Sequence, residues 1–531
     1  MRVLGIEGTS HTFGAGIVDD SGVLSDFRHT YIPDEGGIRP REAAIHHFER
    51  AQSIISTTLE IADLSMRDID LVAFSQGPGL GPCLRIAATS ARTLALQHKL
   101  PIIGVNHPLG HIEIGRKLCN ANDPVVLYVS GGNTQIIAHG NGRYRVFGET
   151  LDIGLGNMLD KLARRIGIPF PGGPRIEEKA RFGKKLLSLP YSVRGMDTAF
   201  SGILTAAMSH LERGEAEEDI CFSVQEHSFA MLVEVLERAL VHLGKKEVLL
   251  TGGVAMNGRL RNMVEEMAVE NDVRVVNTPP EFCMDNGAMI AEAGLKMYSS
   301  GLRQNLADTS IMQDFRIDQV NSPWVHSSTV TGRSLIGSES TLRTGTYHGR
   351  SCVTKTRPVK GYRHKDLDNR LRYERMRDEV VMLNALRVAG IPVPMVYDAD
   401  ISKACMTLEK ITGNTFRDSL VENGLISDEI KSLGAWVAKM HRNGLSHGDL
   451  TTSNIIVSGQ LVVIDPSMGA MDSSTLELGS DLVTLQESFN SAHGDIPQLW
   501  DQFMNAYLEE WPGGNVVIDA AAEIKKRRRY Q

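Results

Sequence analysis

The sequence contains few cysteines and no long apolar run. Its six cysteines lie far apart, and no Cys-x-x-Cys pair occurs, so neither a zinc ribbon nor a disulfide framework is indicated. No apolar run approaches the roughly 20 residues that a membrane-spanning helix needs. The first six residues lack the pattern of a signal peptide and are typical of a strand. We therefore expect a cytoplasmic protein with free thiols and no membrane partner.

The sequence also has no strong excess of either charge. The formal net charge of -8 argues against a protein that binds nucleic acid over its whole surface, although a local basic patch is compatible with it. With 531 residues, the chain is too long for one hydrophobic core. We therefore expect several structural units.

The N-terminal part alternates strands and helices. Two apolar segments, residues 2–6 and 13–18, flank a polar turn and predict a β-hairpin. Residues 125–129 and 135–138 repeat this arrangement around Ser130-Gly131-Gly132-Asn133-Thr134, which suggests an internal duplication. Predicted helices at 41–62 and 224–243 lie between the strands. This alternation predicts an α/β domain.

Three short turns rich in glycine and hydroxyl residues follow predicted strands. Glycine lets backbone N–H groups approach an anion closely, and a hydroxyl group adds a donor. One such turn is usually only a turn, whereas three in one α/β domain favour nucleotide binding. The turns are Gly8-Thr9-Ser10, Ser130 to Thr134, and Thr251-Gly252-Gly253.

A pair of histidines predicts a metal site. In His107-Pro108-Leu109-Gly110-His111 the imidazoles stand at positions i and i+4 of a helix that Pro108 can open, so they share one face. This spacing suits two ligands of one metal ion. Pro108 occupies the place of the general-base Glu of His-Glu-x-x-His peptidases, which disfavours protease chemistry. Asp285 is a reasonable distant oxygen ligand.

Five motifs occur together in the first 320 residues. They are His107-x-x-x-His111, Ser130 to Thr134, Pro171-Gly172-Gly173-Pro174, Thr198-Ala199-Phe200-Ser201-Gly202, and Gly252-Gly253-Val254-Ala255-x-Asn257. In this order they resemble the universal tRNA threonylcarbamoyladenosine synthases, TsaD in bacteria and the catalytic KEOPS subunit elsewhere. The resemblance implies a duplicated actin-like ATPase (ASKHA) fold. It also implies transfer of a threonylcarbamoyl group from threonylcarbamoyl-AMP to the adenosine 3′ of the anticodon, in tRNAs that read codons starting with A.

The same resemblance implies roles for single residues. One iron or zinc ion would be held by His107, His111 and Asp285, with Tyr128 as a phenolate ligand, and these ligand types fit either metal. Ser130, Gly131, Gly132, Asn133 and Thr134, with Gly252 and Gly253, would face the phosphate. The adenosine moiety would be held by Asp160, Gly173, Glu177 and Asn257.

A hydroxyl-rich, aperiodic stretch at 322–329 predicts a linker. We assign residues 1–324 to the transferase, 325–332 to the linker and 333–531 to a second domain. That domain is predicted to be rich in strands over 333–357 and helical over 366–389. Beyond residue 389 the predicted elements are mixed.

The strongest motif in the second domain lies between residues 445 and 465. His447-Gly448-Asp449 and Asn454 match a kinase catalytic loop, in which the Asp orients the acceptor and the Asn reaches a metal. Asp465, after a predicted strand, stands where a second magnesium ligand belongs. Upstream, Lys355 is the candidate phosphate-pairing lysine, and Glu379 is its candidate partner.

The second domain departs from ordinary protein kinases in ways that match another family. Gly337-Ser338-Glu339 stands where a longer glycine-rich loop is expected, and Asp465 is followed by Pro466-Ser467 with no activation segment. With Tyr362-Arg363-His364 and Arg370-Leu371-Arg372, these features resemble the small atypical KEOPS kinase, PRPK in humans. The resemblance implies a minimal bilobal kinase-like α+β fold. It also implies ATP and magnesium use that supports tRNA modification, either as an ATPase or as an atypical Ser/Thr kinase.

Five consecutive basic residues stand close to the C-terminus. Such a run is typical of a solvated tail, and in an RNA-modifying protein it also suits contact with tRNA phosphates. The five residues are Lys525, Lys526, Arg527, Arg528 and Arg529. Besides tRNA, the two resemblances imply KEOPS partners, namely a small dimerising subunit and a kinase-binding subunit.

Taken together, the two halves predict a bifunctional tRNA-modifying protein. One alternative is a protein Ser/Thr kinase with a regulatory, nucleotide-binding actin-like module, which the missing activation segment disfavours. A non-catalytic scaffold is a second alternative, and it has no physical need for residues such as His107, Lys355 and Asp449.

Overall fold

The computed structural model describes residues 1–33, 37–140, 142–326, 339–423, 427–493 and 497–529. The chain divides into two compact units. The first contains the described residues up to 326 except Val193–Asp197, which group with the described residues from 339 onward in the second. Within the described residues, no helix is both long and apolar enough to cross a membrane.

The first unit is built on two five-stranded sheets. One contains β1 (Val3–Glu7), β2 (Thr12–Asp19), β3 (Gly22–Thr30), β4 (Leu71–Gly77) and β5 (Ile102–Asn106), in the order β3-β2-β1-β4-β5. The other contains β6 (Val125–Val129), β7 (Thr134–Gly140), β8 (Arg143–Glu149), β11 (Glu247–Thr251) and β12 (Arg274–Asn277), in the order β8-β7-β6-β11-β12. A separate two-stranded sheet contains β9 (Val193–Arg194) and β10 (Asp197–Thr198), and its residues 193–197 group with the second unit.

The two sheets follow one plan. In each sheet the first three strands pair antiparallel in chain order, β1-β2-β3 in one and β6-β7-β8 in the other. The last two strands, β4 and β5 or β11 and β12, lie on the opposite side of the first strand and run parallel to it. The predicted duplication is therefore confirmed, and the unit has the duplicated actin-like α/β fold. Its helices are α1 (Pro40–Ile61), α2 (Gly81–His98), α3 (His107–Cys119), α4 (Leu155–Arg165), α5 (Gly173–Ala180), α6 (Ser201–Glu212), α7 (Glu217–Leu243), α8 (Gly258–Asn271), α9 (Pro280–Cys283) and α10 (Gly287–Ser299).

Helix α10 lies directly on the β1–β2 hairpin because glycines remove the intervening side chains. A Cβ atom on Gly5 would come within 2.3 Å of the Ala291 nitrogen, and one on Gly16 within 2.2 Å of the Ala288 nitrogen. Backbone can approach backbone this closely only where no Cβ intervenes. The start of α10, with Asp285 just before it, is thereby held against the first sheet.

The second unit is a small α+β domain, as the kinase resemblance predicted. Its antiparallel sheet has the order β13 (Thr341–Tyr347), β14 (Arg350–Thr356), β16 (Cys405–Glu409) and β15 (Val396–Asp400). A three-stranded sheet contains β17 (Asn414–Thr415), β18 (Ile455–Val457) and β19 (Leu461–Val463). The helices are α11 (Lys365–Val388), α12 (Phe416–Asn423), α13 (Ser427–Arg442), α14 (Thr475–His493), α15 (Pro497–Glu510) and α16 (Asn515–Arg529).

The C-terminal basic residues belong to a helix. They form the last turns of α16, and the Lys525 ammonium donates a hydrogen bond to the Gln486 side chain on α14. Three alanines in the middle of α16 favour the helix, and its cationic end is favourable near the carbonyl end of the helix dipole. The predicted linker, 325–332, lies mostly outside the described residues.

Candidate active sites

The predicted metal ligands come together at the carboxyl edge of the first sheet. Strand β5 ends at Asn106, whose side chain caps α3 by accepting from the Leu109 amide at 3.1 Å. His107 and His111, one turn apart on α3, both place Nε2 near Asp285 Oδ1, at 3.5 and 3.3 Å. One ligand atom from each residue lies within 4.8 Å of the others, close enough to share one ion.

The charges of this cluster suit a cation. Burial lowers the pKa of His107, but the Glu7 and Asp285 carboxylates outweigh it and raise that pKa to about 9. Burial lowers the pKa of His111. Although burial alone would raise the pKa of Asp285, the two imidazoles hold it below its usual range. Since a histidine ligand must be neutral, protons and a metal ion compete for this cluster.

Glu7 belongs to the cluster, and sequence reasoning missed it. Its Oε2 lies 3.2 Å from His107 Nδ1, while Oε1 accepts from the Thr9 amide at 2.7 Å. A carboxylate on Nδ1 holds the ring so that Nε2 faces Asp285. The available signal was an acidic residue at the end of a buried apolar strand, just before the Gly8-Thr9 turn.

Tyr128 lies beside the histidines. Its ring centroid is 5.2 Å from that of His111, and its hydroxyl accepts a hydrogen bond from Asn133 Nδ2 at 3.4 Å. The side chain is fully buried, and this burial raises the pKa of Tyr128. The protein alone therefore keeps the phenol protonated, and an ionised ligand would need the charge of a bound cation.

Two predicted phosphate turns lie side by side. Strands β6 and β11 are parallel neighbours, with Tyr128 opposite Thr251, so the turns that follow them meet at one edge. Gly131 and Gly132 are exposed there. Gly252 has a φ of +96°, and a Cβ atom on it would lie 2.3 Å from the Val129 carbonyl oxygen, so this position needs glycine. The edge thus offers exposed backbone donors for a phosphate.

The four residues expected to hold the adenosine moiety form two local pairs. Asp160 accepts from the Gly172 amide at 2.7 Å, beside Gly173, and burial raises the pKa of this carboxyl. Glu177 accepts from the Gly258 amide at 3.0 Å, next to Asn257. Asn257 caps α8 and donates to Gln225, so much of its hydrogen-bonding capacity serves the fold.

In the second unit, Lys355, Glu379 and Asp465 form one ionic cluster. The Lys355 Nζ atom lies 2.7 Å from Glu379 Oε1 and 2.7 Å from Asp465 Oδ1. Arg357, which the sequence analysis did not single out, lies 2.8 Å from Glu379 Oε2. Although burial alone would raise the pKa of Asp465, Lys355 and Arg357 hold it below its usual range. The carboxylate is therefore kept ionised, as a magnesium ligand must be.

The predicted catalytic loop is held by an aspartate that sequence reasoning also missed. The amides of His447 and Gly448 donate to Asp481, at 2.6 and 2.9 Å. Asn454 Nδ2 donates to the Asp449 carbonyl at 2.8 Å and lies 3.2 Å from its carboxylate. The candidate catalytic aspartate and the candidate metal-binding amide therefore adjoin each other. Asp481 stands in a helix with no sequence signal beyond its charge.

The remaining predicted residues are only partly placed. Glu339 lies 3.0 Å from Arg357 and 2.7 Å from Arg375, whereas Gly337 and Ser338 lie outside the described residues. Lys526 is exposed on α16, and the side chains of Arg527, Arg528 and Arg529 also lie outside the described part.

Two protein families match the chain, one before and one after the predicted linker. Residues 22–292 match the family described as TsaD, tRNA N6-adenosine threonylcarbamoyltransferase, and residues 339–507 match the lipopolysaccharide kinase (Kdo/WaaP) family. Among solved structures, T. kodakarensis HypF is 16% identical with a TM-score of 0.43, and the match covers 56% of this chain and 48% of that one. The ROK hexokinase of Thermus thermophilus is 15% identical with a TM-score of 0.34, and the match covers 57% of this chain and 99% of that one.

Full-length relatives carry one common description. Proteins from Thermoplasma volcanium and Methanothermobacter thermautotrophicus, 53% and 46% identical over 100% of both chains, are each named probable bifunctional tRNA threonylcarbamoyladenosine biosynthesis protein. These matches extend over both units of the chain. The chain therefore belongs to the family of bifunctional tRNA threonylcarbamoyladenosine biosynthesis proteins, which join a TsaD domain to a kinase-like domain.

Proposed function

We propose that residues 1–324 transfer the threonylcarbamoyl group from threonylcarbamoyl-AMP to the adenosine 3′ of the anticodon, in tRNAs that read codons starting with A. The observation that carries this proposal is the convergence of His107, His111 and Asp285 inside the TsaD-matched region. Residues 325–332 are the linker, and residues 333–531 are the kinase-like domain.

The donor set supports a transition metal. Two imidazoles and a carboxylate, with the Nδ1 of His107 oriented by Glu7, fit zinc or iron equally well. A bound metal of either kind would supply Lewis-acid polarisation of the carbamoyl donor. The turns at Ser130 to Thr134 and Gly252-Gly253 bind the phosphate of the adenylate, and Asp160, Gly173, Glu177 and Asn257 hold its adenosine.

We propose that the second domain hydrolyses ATP in support of the transfer. The alternative activity for this domain is that of an atypical Ser/Thr kinase. Lys355, held by Glu379, pairs with ATP phosphates next to the Gly337-Ser338-Glu339 loop. Asn454 and Asp465 bind magnesium, and Asp449 orients the attacking water or hydroxyl. The ionised state of Asp465 and the contact between Asn454 and Asp449 support these roles.

The partners of this protein are tRNA and the other KEOPS subunits, namely the small dimerising subunit and the kinase-binding subunit, in the cytoplasm. The basic end of α16 supplies phosphate contacts through Lys525, Lys526, Arg527, Arg528 and Arg529. Replacing these five residues with glutamine keeps the helix and removes the charge. We expect weaker tRNA binding with a shallower salt dependence, because fewer counterions are released. Unchanged affinity at low salt would contradict this contact.

The transfer itself is tested with labelled threonine. The full chain is supplied with bicarbonate, ATP, tRNA, the enzyme that makes threonylcarbamoyl-AMP and the other KEOPS subunits. We expect label in tRNA with the wild-type chain and with His98→Ala, a half-exposed histidine on α2. His107→Ala is expected to lose both the label and the metal measured by mass spectrometry. A folded His107→Ala protein with full activity would refute the metal assignment.

ATP turnover tests the second domain separately. Asp449→Asn keeps the size of the side chain and removes the carboxylate next to Asn454. We expect at least a hundredfold loss of ATP hydrolysis, a size typical of removing a group that positions the nucleophile. Stimulation of wild-type hydrolysis by tRNA is expected as well. Phosphorylation of protein substrates at a rate that tRNA does not change would instead support the alternative of a protein Ser/Thr kinase with a regulatory module.

A further inference from the structure

Arg357 is a buried cation close to the candidate phosphate-pairing lysine of the second unit. It follows directly on β14, two residues after Lys355, and both side chains reach Glu379, as the alternation of an extended chain allows. The Arg357 amide still donates to the Ala404 carbonyl at 2.9 Å, which holds this point of the backbone against the start of β16. The side chain is only 3% exposed. Its position is therefore fixed by the sheet.

The guanidinium group of Arg357 bridges two carboxylates. One terminal nitrogen lies 3.0 Å from Glu339 Oε2, and the other lies 2.8 Å from Glu379 Oε2. Burial alone would lower the pKa of Arg357, but nearby carboxylates, above all that of Glu379, raise it. A planar group that is always charged and carries several donors suits two acceptors at once better than a lysine ammonium does. The residue thus joins the segment before β13 to helix α11.

Glu379 lies between two cations. It is completely buried, with Lys355 Nζ at 2.7 Å from Oε1 and the Arg357 guanidinium on Oε2. Among the residues that the structure describes, no other cation lies within 4.0 Å of this carboxylate. A buried carboxylate without a counter-charge is costly. Each of the two cations therefore limits how far the other can move away from Glu379.

Lys355 also has a second acidic partner. Its Nζ lies 2.7 Å from Asp465 Oδ1, whereas the Arg357 guanidinium is 4.0 Å from the same oxygen. In kinase-like phosphotransfer the lysine contacts the nucleotide phosphates and the aspartate holds magnesium. When ATP and magnesium bind, Lys355 must therefore turn part of its charge from these carboxylates to the phosphates. Arg357 keeps its contact with Glu379 during this step.

We propose that Arg357 is a positioning residue of the ATP site. It neutralises Glu379 while Lys355 turns towards the ATP phosphates, and it keeps α11 and Glu339 in place. This inference rests on the ATP hydrolysis proposed above for the second domain. Without Arg357, Lys355 would remain the one counter-charge of the buried Glu379 and would bind the phosphates less well. The effect therefore belongs to ATP binding and not to the chemical step.

Steady-state ATP hydrolysis by the full chain, measured with tRNA and the other KEOPS subunits, tests this role. Only the part of the hydrolysis that Asp449→Asn abolishes is assigned to the second domain. The variants are Arg357→Gln, which removes the charge, and Arg357→Lys, which keeps it. The matched control is Arg350→Gln, at an exposed arginine at the other end of β14.

We expect Arg357→Gln to raise the KM for ATP about tenfold, the size of one lost charge-assisted contact, and to leave kcat within about twofold. Arg357→Lys should restore most of the wild-type KM, and Arg350→Gln should match the wild type. A residue that only stabilises the fold would instead lower kcat, through loss of active protein, and leave the KM unchanged. That result would overturn the proposal, as would an equal rise of the KM in the Gln and Lys variants.

Arg357→Gln leaves neither carboxylate without a cation, because Glu379 keeps Lys355 and Glu339 keeps Arg375 at 2.7 Å. We therefore expect a folded variant with unchanged circular dichroism.

Calorimetric titration with magnesium and a non-hydrolysable ATP analogue tests Arg357 without turnover. The binding that Lys355→Ala removes belongs to the second domain, and it should be about tenfold weaker in Arg357→Gln. Equal affinity in Arg357→Gln and the wild type, or no binding that depends on Lys355, would overturn the role of Arg357. Weaker binding in Arg357→Gln, together with no hydrolysis by the wild type, would support that role and refute only the proposed hydrolysis.

Discussion

Replacing Glu379 with glutamine would remove the charge that holds two buried cations. This side chain is completely buried, and its oxygens lie 2.7 Å from Lys355 Nζ and 2.8 Å from an Arg357 terminal nitrogen. Glutamine has nearly the same shape, so no cavity forms and the effect is electrostatic. Removing one partner of a buried ion pair typically costs about 3–5 kcal/mol, because the other charge stays buried. We expect Glu379→Gln to destabilise the second unit by about 3 kcal/mol.

Urea unfolding followed by tryptophan fluorescence measures this loss. Three of the four tryptophans, Trp436, Trp500 and Trp511, lie in the second unit and report on it. A loss of about 3 kcal/mol lowers the urea midpoint by about 1 M or more, given the usual dependence of unfolding free energy on urea.

The control is Asp378→Asn, one residue earlier on the same helix. Asp378 pairs with Arg377 at 2.7 Å, but its side chain is 42% exposed, and such pairs contribute about 0–1 kcal/mol. If Glu379→Gln lowers the midpoint no further than Asp378→Asn, the ionic cluster does not stabilise the unit and the reasoning fails. The difference should also persist in high salt, because buried charges are poorly screened.

Three further predictions concern the first unit. Asp285→Asn is expected to lower the zinc or iron content measured by mass spectrometry, whereas Asp272→Asn, at an exposed aspartate, is not. Burial lowers the pKa of His47 to about 4, so below pH 6.5 this histidine binds a proton more readily in the unfolded chain than in the native state. The free energy of unfolding is therefore expected to fall by up to roughly 3 kcal/mol as the pH falls to 4. In urea unfolding at several pH values, His47→Gln should remove this part of the pH dependence. The same change in unfolding free energy with pH in the variant and the wild type would contradict the prediction. Gly252→Ala should cost roughly 2 kcal/mol or more because of its positive φ and the close carbonyl oxygen, whereas Gly253→Ala, with open space around its Cβ, should leave the thermal midpoint almost unchanged.

Elements with a strong local pattern were predicted closely. The helix predicted over 366–389 is α11, Lys365–Val388, and the predicted strand at 125–129 is β6, Val125–Val129. The spacing of His107 and His111, with Pro108 in the first turn, was enough to place both rings on one face of α3. Such features depend on periodicity and capping within a few residues, which a sequence shows directly.

Short-range patterns were enough to predict the α/β character of the first half, its internal duplication and the histidine pair, because each of these depends on residues close together in the chain. Only the tertiary structure brought Asp285 to the histidines across 174 residues, and only it placed Glu7 on His107 and Asp481 under the catalytic loop. It also put the basic C-terminal residues in a helix. A lone acidic residue looks the same in a sequence whether it is solvated or buried against a cation, and only the folded chain decides which.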